Sequence, residues 1–212
     1  MPQPTERKDN ARRDRLRERI LDAAERAIAE NGLSGLKARE VAQGAGCALG
    51  AIYTVFADLD EVILRVGART LGRLEKELSA EGEADALENL AVAYLAFARR
   101  EEPSWRALFD HRLPPGAPLP DWFATERDRL FALLEAPLRR LMPNRAEKEV
   151  KLRARTLFSA VHGIVSLGLA EKLGDSAGAA LDAELREFIA AFSRSLAPTE
   201  ADEACQKGYA RK

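Results

Sequence analysis

The stretch Arg39-Glu40-Val41-Ala42-Gln43-Gly44-Ala45-Gly46-Cys47-Ala48-Leu49-Gly50-Ala51-Ile52-Tyr53-Thr54-Val55-Phe56-Ala57 decides how this chain is read. Val41 and Ala42 end a short apolar face. Gly44 and Gly46 then punctuate the chain, and glycine takes the positive φ that a sharp turn between helices needs. Leu49, Ile52, Tyr53 and Phe56 follow at spacings of three and four, which is one face of a second helix over 48–56. Two short helices about a glycine turn predict a helix-turn-helix, whose second helix lies in the DNA major groove. The bland alternative is an ordinary helix pair inside a bundle.

Outward from this stretch the pattern stays helical. Leu16, Ile20, Ala23, Ala24, Ala27 and Ile28 share one face of a helix over 11–31, and Asn31-Gly32 suits its C-cap. A short helix over 37–43 precedes the turn. Asp58 is a candidate N-cap with Glu61 three residues on, as in a capping box. The helix it starts carries an apolar stripe from Leu59 to Leu78, to about Ala80. Helices are predicted over 85–100, from Pro103 through Phe109, over 121–142 with a kink at Pro137, over 144–173 and over 177–196. Leu-Pro-Pro-Gly-Ala-Pro-Leu-Pro over 113–120 cannot be helix, because proline lacks the N–H and fixes φ. The fold class is therefore all-α with about nine helices. The expected domains are a disordered arm (1–10), a three-helix helix-turn-helix head (11–56), a helical ligand-binding and dimerisation body entered by a long helix (57–197), and a polar tail (198–212).

Composition narrows the function. Of 212 residues 46% are hydrophobic and only 6% aromatic, which favours helix and permits a core. Lys and Arg number 33 against 34 Asp and Glu, so the net charge of −1 excludes a bulk polyanion binder. Any DNA binding comes from a local patch. No run of 18 apolar residues predicts a membrane span, and the polar N-terminus has no apolar signal core, so a cytoplasmic location is expected. Cys47 and Cys205 sit in unlike contexts and do not suggest a disulfide framework. No His/Cys/Asp/Glu cluster has zinc-ligand spacing, and no nucleophile–base pair or phosphate loop stands out, so neither cofactor nor catalysis is expected.

Three groups of residues then resemble the tetracycline repressor (TetR) family of bacterial transcription factors. They are Ile20…Ala23-Ala24…Ile28-Ala29-Glu30-Asn31-Gly32, Arg39-Glu40-Val41-Ala42…Ala45-Gly46, and Gly50-Ala51-Ile52-Tyr53…Phe56. The resemblance covers about a quarter of the chain. In the body, Glu102-Pro103-Ser104-Trp105-Arg106-Ala107-Leu108-Phe109 and Val161-His162-Gly163 are similar to a C-terminal domain type named for a Trp-His-Gly signature, with Val161 at the Trp position. The resemblance implies a homodimer pairing through its last two helices. It also implies a small-molecule effector in the body that moves the heads apart and releases a palindromic double-stranded DNA operator. The chain departs from the family at helix starts, where Lys37 and Ala48 replace hydroxyl residues, and at Ala51 and Leu59.

The candidate DNA contacts are Arg12, Arg13, Lys37, Arg39, Ala48, Leu49, Gly50, Ala51, Tyr53 and Thr54. Tyr53 and Thr54 suit phosphates or base edges, Leu49 and Ala51 suit thymine methyls, and Gly50 allows close approach. An arginine-rich arm, with seven cations from Arg7 to Arg19 against four carboxylates, either tracks the DNA backbone or is a solvated helix start. Phe97, Trp105, Trp122, Phe131 and His162 are candidate lining for an apolar effector pocket, against the alternative of plain core packing. Gly163, Ser166, Gly168 and Ala170, with Ala183, Ala190 and Ala191, form small-residue stripes suited to a dimer seam or to packing within the chain. The rival functions are a ligand-binding helical protein that has lost operator binding, an enzyme using His111 or His162, and a redox regulator acting through Cys47.

Overall fold

The computed structural model describes residues 4–80, 86–171 and 179–196. The described residues form nine α-helices and one 3-10 turn, with no strand among them: α1 (Pro4–Asn31), the 3-10 turn (Leu33–Gly35), α2 (Ala38–Gly44), α3 (Leu49–Ile52), α4 (Leu59–Leu78), α5 (Ala86–Arg100), α6 (Glu102–Asp110), α7 (Asp121–Leu141), α8 (Glu147–Leu169) and α9 (Ala179–Leu196). The all-helical reading and its helix count are met.

Three local differences have physical causes. The segment 1–10, read as a disordered arm, is helical from Pro4. Proline is favoured at a first helical position, and the Glu, Arg and Lys that follow are good helix formers. The helix predicted over 48–56 is α-helical only at Leu49–Ile52. Beyond Ile52 the bonds tighten, with the Val55 N–H donating to the Ile52 carbonyl at 3.0 Å and the Thr54 hydroxyl to the Ala51 carbonyl at 2.7 Å. Such back-bonding competes with a regular ladder. The helix predicted to reach Leu173 ends at Leu169, closed by Glu171 at φ 53°. The 198–212 tail lies outside the described residues.

The Asp58 cap forms, and Glu61 returns its bond one residue earlier than a strict capping box would, to Ala57. The Glu61 N–H donates to Asp58 Oδ1 at 2.7 Å, and the Glu61 carboxylate accepts the Ala57 N–H at 2.9 Å. Pro103 sits in the first turn of α6, and Pro137 lies buried inside α7.

The chain divides into two compact units, residues 1–74 with 97–127, and residues 75–96 with 128–212. Packing therefore cuts the chain elsewhere than at 56, because α6 and the first turns of α4 share a unit with the helix-turn-helix. Ile20, Ala24 and Ile28 of α1, Val41 and Ala42 of α2, Ile52, Val55 and Phe56, Val62 and Val66 of α4 and Ala107 of α6 form one buried cluster. In the second unit the buried stripe of α8 runs Val150, Ala154, Leu157, Val161, Val165 and Gly168. Leu181, Leu185 and Ile189 of α9 are buried too. A Cβ on Gly168 would come within 2.6 Å of Leu181, so that small residue serves packing of α8 on α9 within the chain.

Candidate nucleic-acid interface

The turn between α2 and α3 is fixed by backbone geometry. The Cys47 N–H donates to the Ala42 carbonyl and the Gly46 N–H to the Gln43 carbonyl, both at 3.0 Å. With Gly46 at φ 61°, this is a Schellman stop. Gly44 does different work: it is the last residue of α2, and a Cβ there would lie 3.2 Å from Ala23, so it lets α2 approach α1. Arg19 of α1 donates to the Ala45 and Gly46 carbonyls, satisfying acceptors the helix end leaves open. Arg17 donates to the Val55 carbonyl at 3.3 Å, pairs with Glu61, and lies 4.5 Å over the Phe56 ring. Two of the arm's arginines are thus committed, Arg19 to the turn and Arg17 to the segment after α3.

This frame sorts the candidate contacts. Ile52 is fully buried and anchors α3, while Leu49 is 42% and Tyr53 51% exposed. Ala48, Gly50 and Thr54 are exposed and Ala51 is half-buried. Nothing lies within 4 Å of a Cβ placed on Gly50. Lys37 and Arg39 are exposed at the start of α2, where Lys37 pairs with Glu40 at 3.3 Å. Arg12 and Arg13 are exposed on α1. The segment 48–56 presents an uncharged face of small, apolar and aromatic groups, and the cations stand on α1 and α2. Neither Lys37 nor Ala48 makes a side-chain cap bond.

One cluster escaped the sequence reading. Arg69 of α4 donates to Asp22 at 2.8 Å and Glu25 at 2.9 Å, and also pairs with Glu18. Arg73 pairs with Glu25 and donates to Glu101 at 3.0 Å. Partial burial opposes the Arg69 charge, but the hydrogen bonds to Asp22 and Glu25 and the neighbouring carboxylate charges outweigh it and raise the pKa above its ordinary value. The available signal was spacing: Glu18, Asp22 and Glu25 repeat at four and three, and Arg69 and Arg73 at four. Charged side chains clasp α4 to the helix that also holds the recognition turn.

The five candidate effector residues are divided between the two units. Phe97 and Trp105 are fully buried, with Trp105 edge-on to Phe109. Trp122 lies under the Arg65 guanidinium, 3.8 Å from its ring centre. These three belong to the first unit; Phe131 and His162 belong to the second. There Phe158 packs edge-on against Phe131 and Tyr94 and stacks on His162, whose Nδ1 is 2.9 Å from the Tyr94 hydroxyl. None of the five lines either of two cavities. The first, about 270 Å³, has His111, Leu108 and Phe123 in its wall. The second, about 280 Å³, has Leu87, Pro137, Arg140 and Ile189. Cys47 is half-buried against the head core. Among the described residues no acidic, histidine or cysteine cluster suits a metal ion, and no helix is long and apolar enough to cross a membrane.

Comparison with known proteins extends this geometry. Residues 20–66 match the family described as bacterial regulatory proteins, tetR family, and residues 87–192 match the tetracyclin repressor-like C-terminal domain. A TetR-family transcriptional regulator from Streptomyces coelicolor is similar in fold, with TM-score 0.61, 22% identity, and 86% of this chain and 99% of that one covered. A protein of unknown function from Rhodococcus sp. RHA1 gives TM-score 0.69 at 23% identity over 86% and 96%. The regulator FadR from Bacillus subtilis, in complex with stearoyl-CoA, gives 0.60 at 17% over 81% and 96%. No curated protein matches in sequence.

Proposed function

The chain belongs to the TetR family of bacterial regulatory proteins, with a DNA-binding N-terminal region and a ligand-binding C-terminal domain, and on that premise we propose that it is a homodimeric, cytoplasmic transcriptional repressor. It binds a palindromic operator through α2 and α3 and is released by a small apolar or amphipathic effector. The family is one of DNA-binding regulators, not of enzymes. The observation that carries the DNA reading is the α3 face. Leu49 and Tyr53 stand exposed beside Ala48, Gly50 and Thr54 while Ile52 alone anchors the helix. Large apolar groups held out by a rigid turn suit base edges and thymine methyls. Lys37, Arg39, Arg12 and Arg13 are then the phosphate contacts.

Dimerisation is supported by α8. Leu152 is 63% and Leu167 46% exposed, and Ser159 and Gly163 fall on the same helical face. Nothing lies within 4 Å of a Cβ at Gly163. A twofold pairing of that face predicts a twofold operator. The effector acts by binding the operator-incompetent conformer better, which moves the two recognition helices off the roughly 34–36 Å spacing of successive major grooves. The stearoyl-CoA held by FadR supports an amphipathic effector for this fold.

The absence of charge over 48–56 favours one second reading, a ligand-binding protein whose operator affinity is weak or lost. Gly50→Asp separates the two. The site is open, so the variant keeps the parent's melting temperature, yet it sets a carboxylate on the α3 face. The repressor reading predicts loss of operator binding in a mobility shift. Unchanged binding by the variant contradicts α3 as the reading element, and no binding by the parent favours the second reading.

A further inference from the structure

The cavity of about 270 Å³ lies within the first unit. Ile63 and Leu64 of α4, Leu108 of α6, Leu119 of the proline-rich loop and Phe123 of α7 give it an apolar wall, and His111 is the titratable group in that wall. His111 follows α6 as its C-cap, with extended backbone before Pro114. Its side chain is nine-tenths buried. Its Nε2 has no hydrogen-bond partner among the described residues. The nearby acceptor is Asp60 Oδ1 at 3.5 Å, too long for a sound bond. A buried polar atom left unpaired is rare and calls for an explanation; a ligand position beside it is one.

We propose that this cavity is the effector site and that it takes a neutral, mostly apolar molecule of roughly ten non-hydrogen atoms bearing one hydroxyl. The inference rests on the reading of the chain as an effector-controlled regulator. Size follows from volume: a cavity of about 150 Å³ holds benzene, so this one holds a bicyclic ring or its aliphatic equal. Neutrality follows from the wall, where His111 carries the one polar side chain, so a charged ligand would lose its hydration without a partner charge. The hydroxyl follows from the unpaired His111 Nε2. A hydroxyl both accepts and donates, so it satisfies this ring nitrogen in either tautomer.

The position also explains control. Ile63, Leu64 and Gly67 form the α4 side of the cavity, between Glu61, which pairs with Arg17, and Arg69, which holds α1. A Cβ at Gly67 would lie 3.3 Å from both Leu108 and Phe123, so α4 is packed as closely there as a glycine permits. A ligand entering this wall shifts α4 between its two ties to the head.

The test is calorimetric titration of the full-length protein with 2-naphthol, naphthalene and naphthalene-2-carboxylate, alongside operator release on the same samples. We expect 2-naphthol to bind about tenfold tighter than the carboxylate. His111→Leu costs about tenfold for 2-naphthol and under about threefold for naphthalene, the scale of one hydrogen bond. Leu119→Trp fills the cavity from the loop, leaves His111 in place, and abolishes binding of both. Melting curves of each variant confirm folding. Equal 2-naphthol affinity in the parent and in folded His111→Leu or Leu119→Trp overturns the proposal, as does no binding by a parent that binds operator. A parent that binds 2-naphthol through His111 but no DNA keeps the site and removes the regulator reading.

Discussion

The helix-turn-helix and the aromatic-rich helices after it are built by the same packing of apolar faces, yet they disclose their roles differently. Over residues 39–57 the chain is short and its turns are tight, so local rules settle where each side chain points. Gly46 at φ 61° stops α2, Ile52 is buried, and Leu49 and Tyr53, four residues apart, face out. Past Ala86 partners distant in sequence choose each residue's fate. Trp105 and Trp122 look alike as sequence. One is fully buried, and the other is half-buried beneath Arg65. Local rules fix which side chains a short turn presents, whereas long-range packing decides which aromatics a core takes in.

The two tryptophans offer the largest test of that contrast. Trp105→Ala is expected to cost about 3–5 kcal/mol, the range for a fully buried aromatic. Trp122→Ala loses partial burial and one cation–π contact and should cost under about 2 kcal/mol. Denaturant unfolding of both variants checks this, and equal losses would erase the distinction between core and surface rings. Within the head, two glycines make a sharper pair. Gly46→Ala forces a side chain into left-handed backbone and is expected to lose about 1–2 kcal/mol. Gly50→Ala meets no neighbour and should be neutral or gain up to about 1 kcal/mol of helix propensity. Reversal of that order in thermal melts would contradict the Schellman turn.

The smallest effect concerns the clasp. Arg69 is about a quarter exposed and its three acidic partners range from a quarter to nearly two-thirds exposed, so screening discounts the pairing. Arg69→Met should cost about 1 kcal/mol at low salt, with the loss shrinking in molar salt. A loss independent of salt would mean that Arg69 acts through packing and not through charge.

The helices, the proline-rich loop and the Asp58 cap were legible because each rests on neighbours in sequence. The early end of α3 was not, since it turns on a Thr54 hydroxyl that prefers the Ala51 carbonyl. Arg17 and Arg19 read as part of a basic arm, but carbonyls of the segment after α3 and of the turn recruit them. Which aromatics line a cavity was not legible, for a related reason. Size and apolarity suit a side chain equally to a core and to a cavity wall, and only the folded neighbourhood separates Phe97 from Phe123. His111 became informative through what the fold fails to supply, a partner for Nε2.

Under the proposed function, an uncharged α3 face, held by the Arg19-capped turn, reads DNA in a dimer. The most direct measurement is selection of genomic fragments by the purified full-length protein, sequenced and repeated at two salt concentrations. The account predicts an enriched palindrome whose half-sites lie about one helical turn, or a multiple of it, apart, with affinity falling as salt rises. No enrichment at either salt, from protein verified as folded and dimeric, contradicts it.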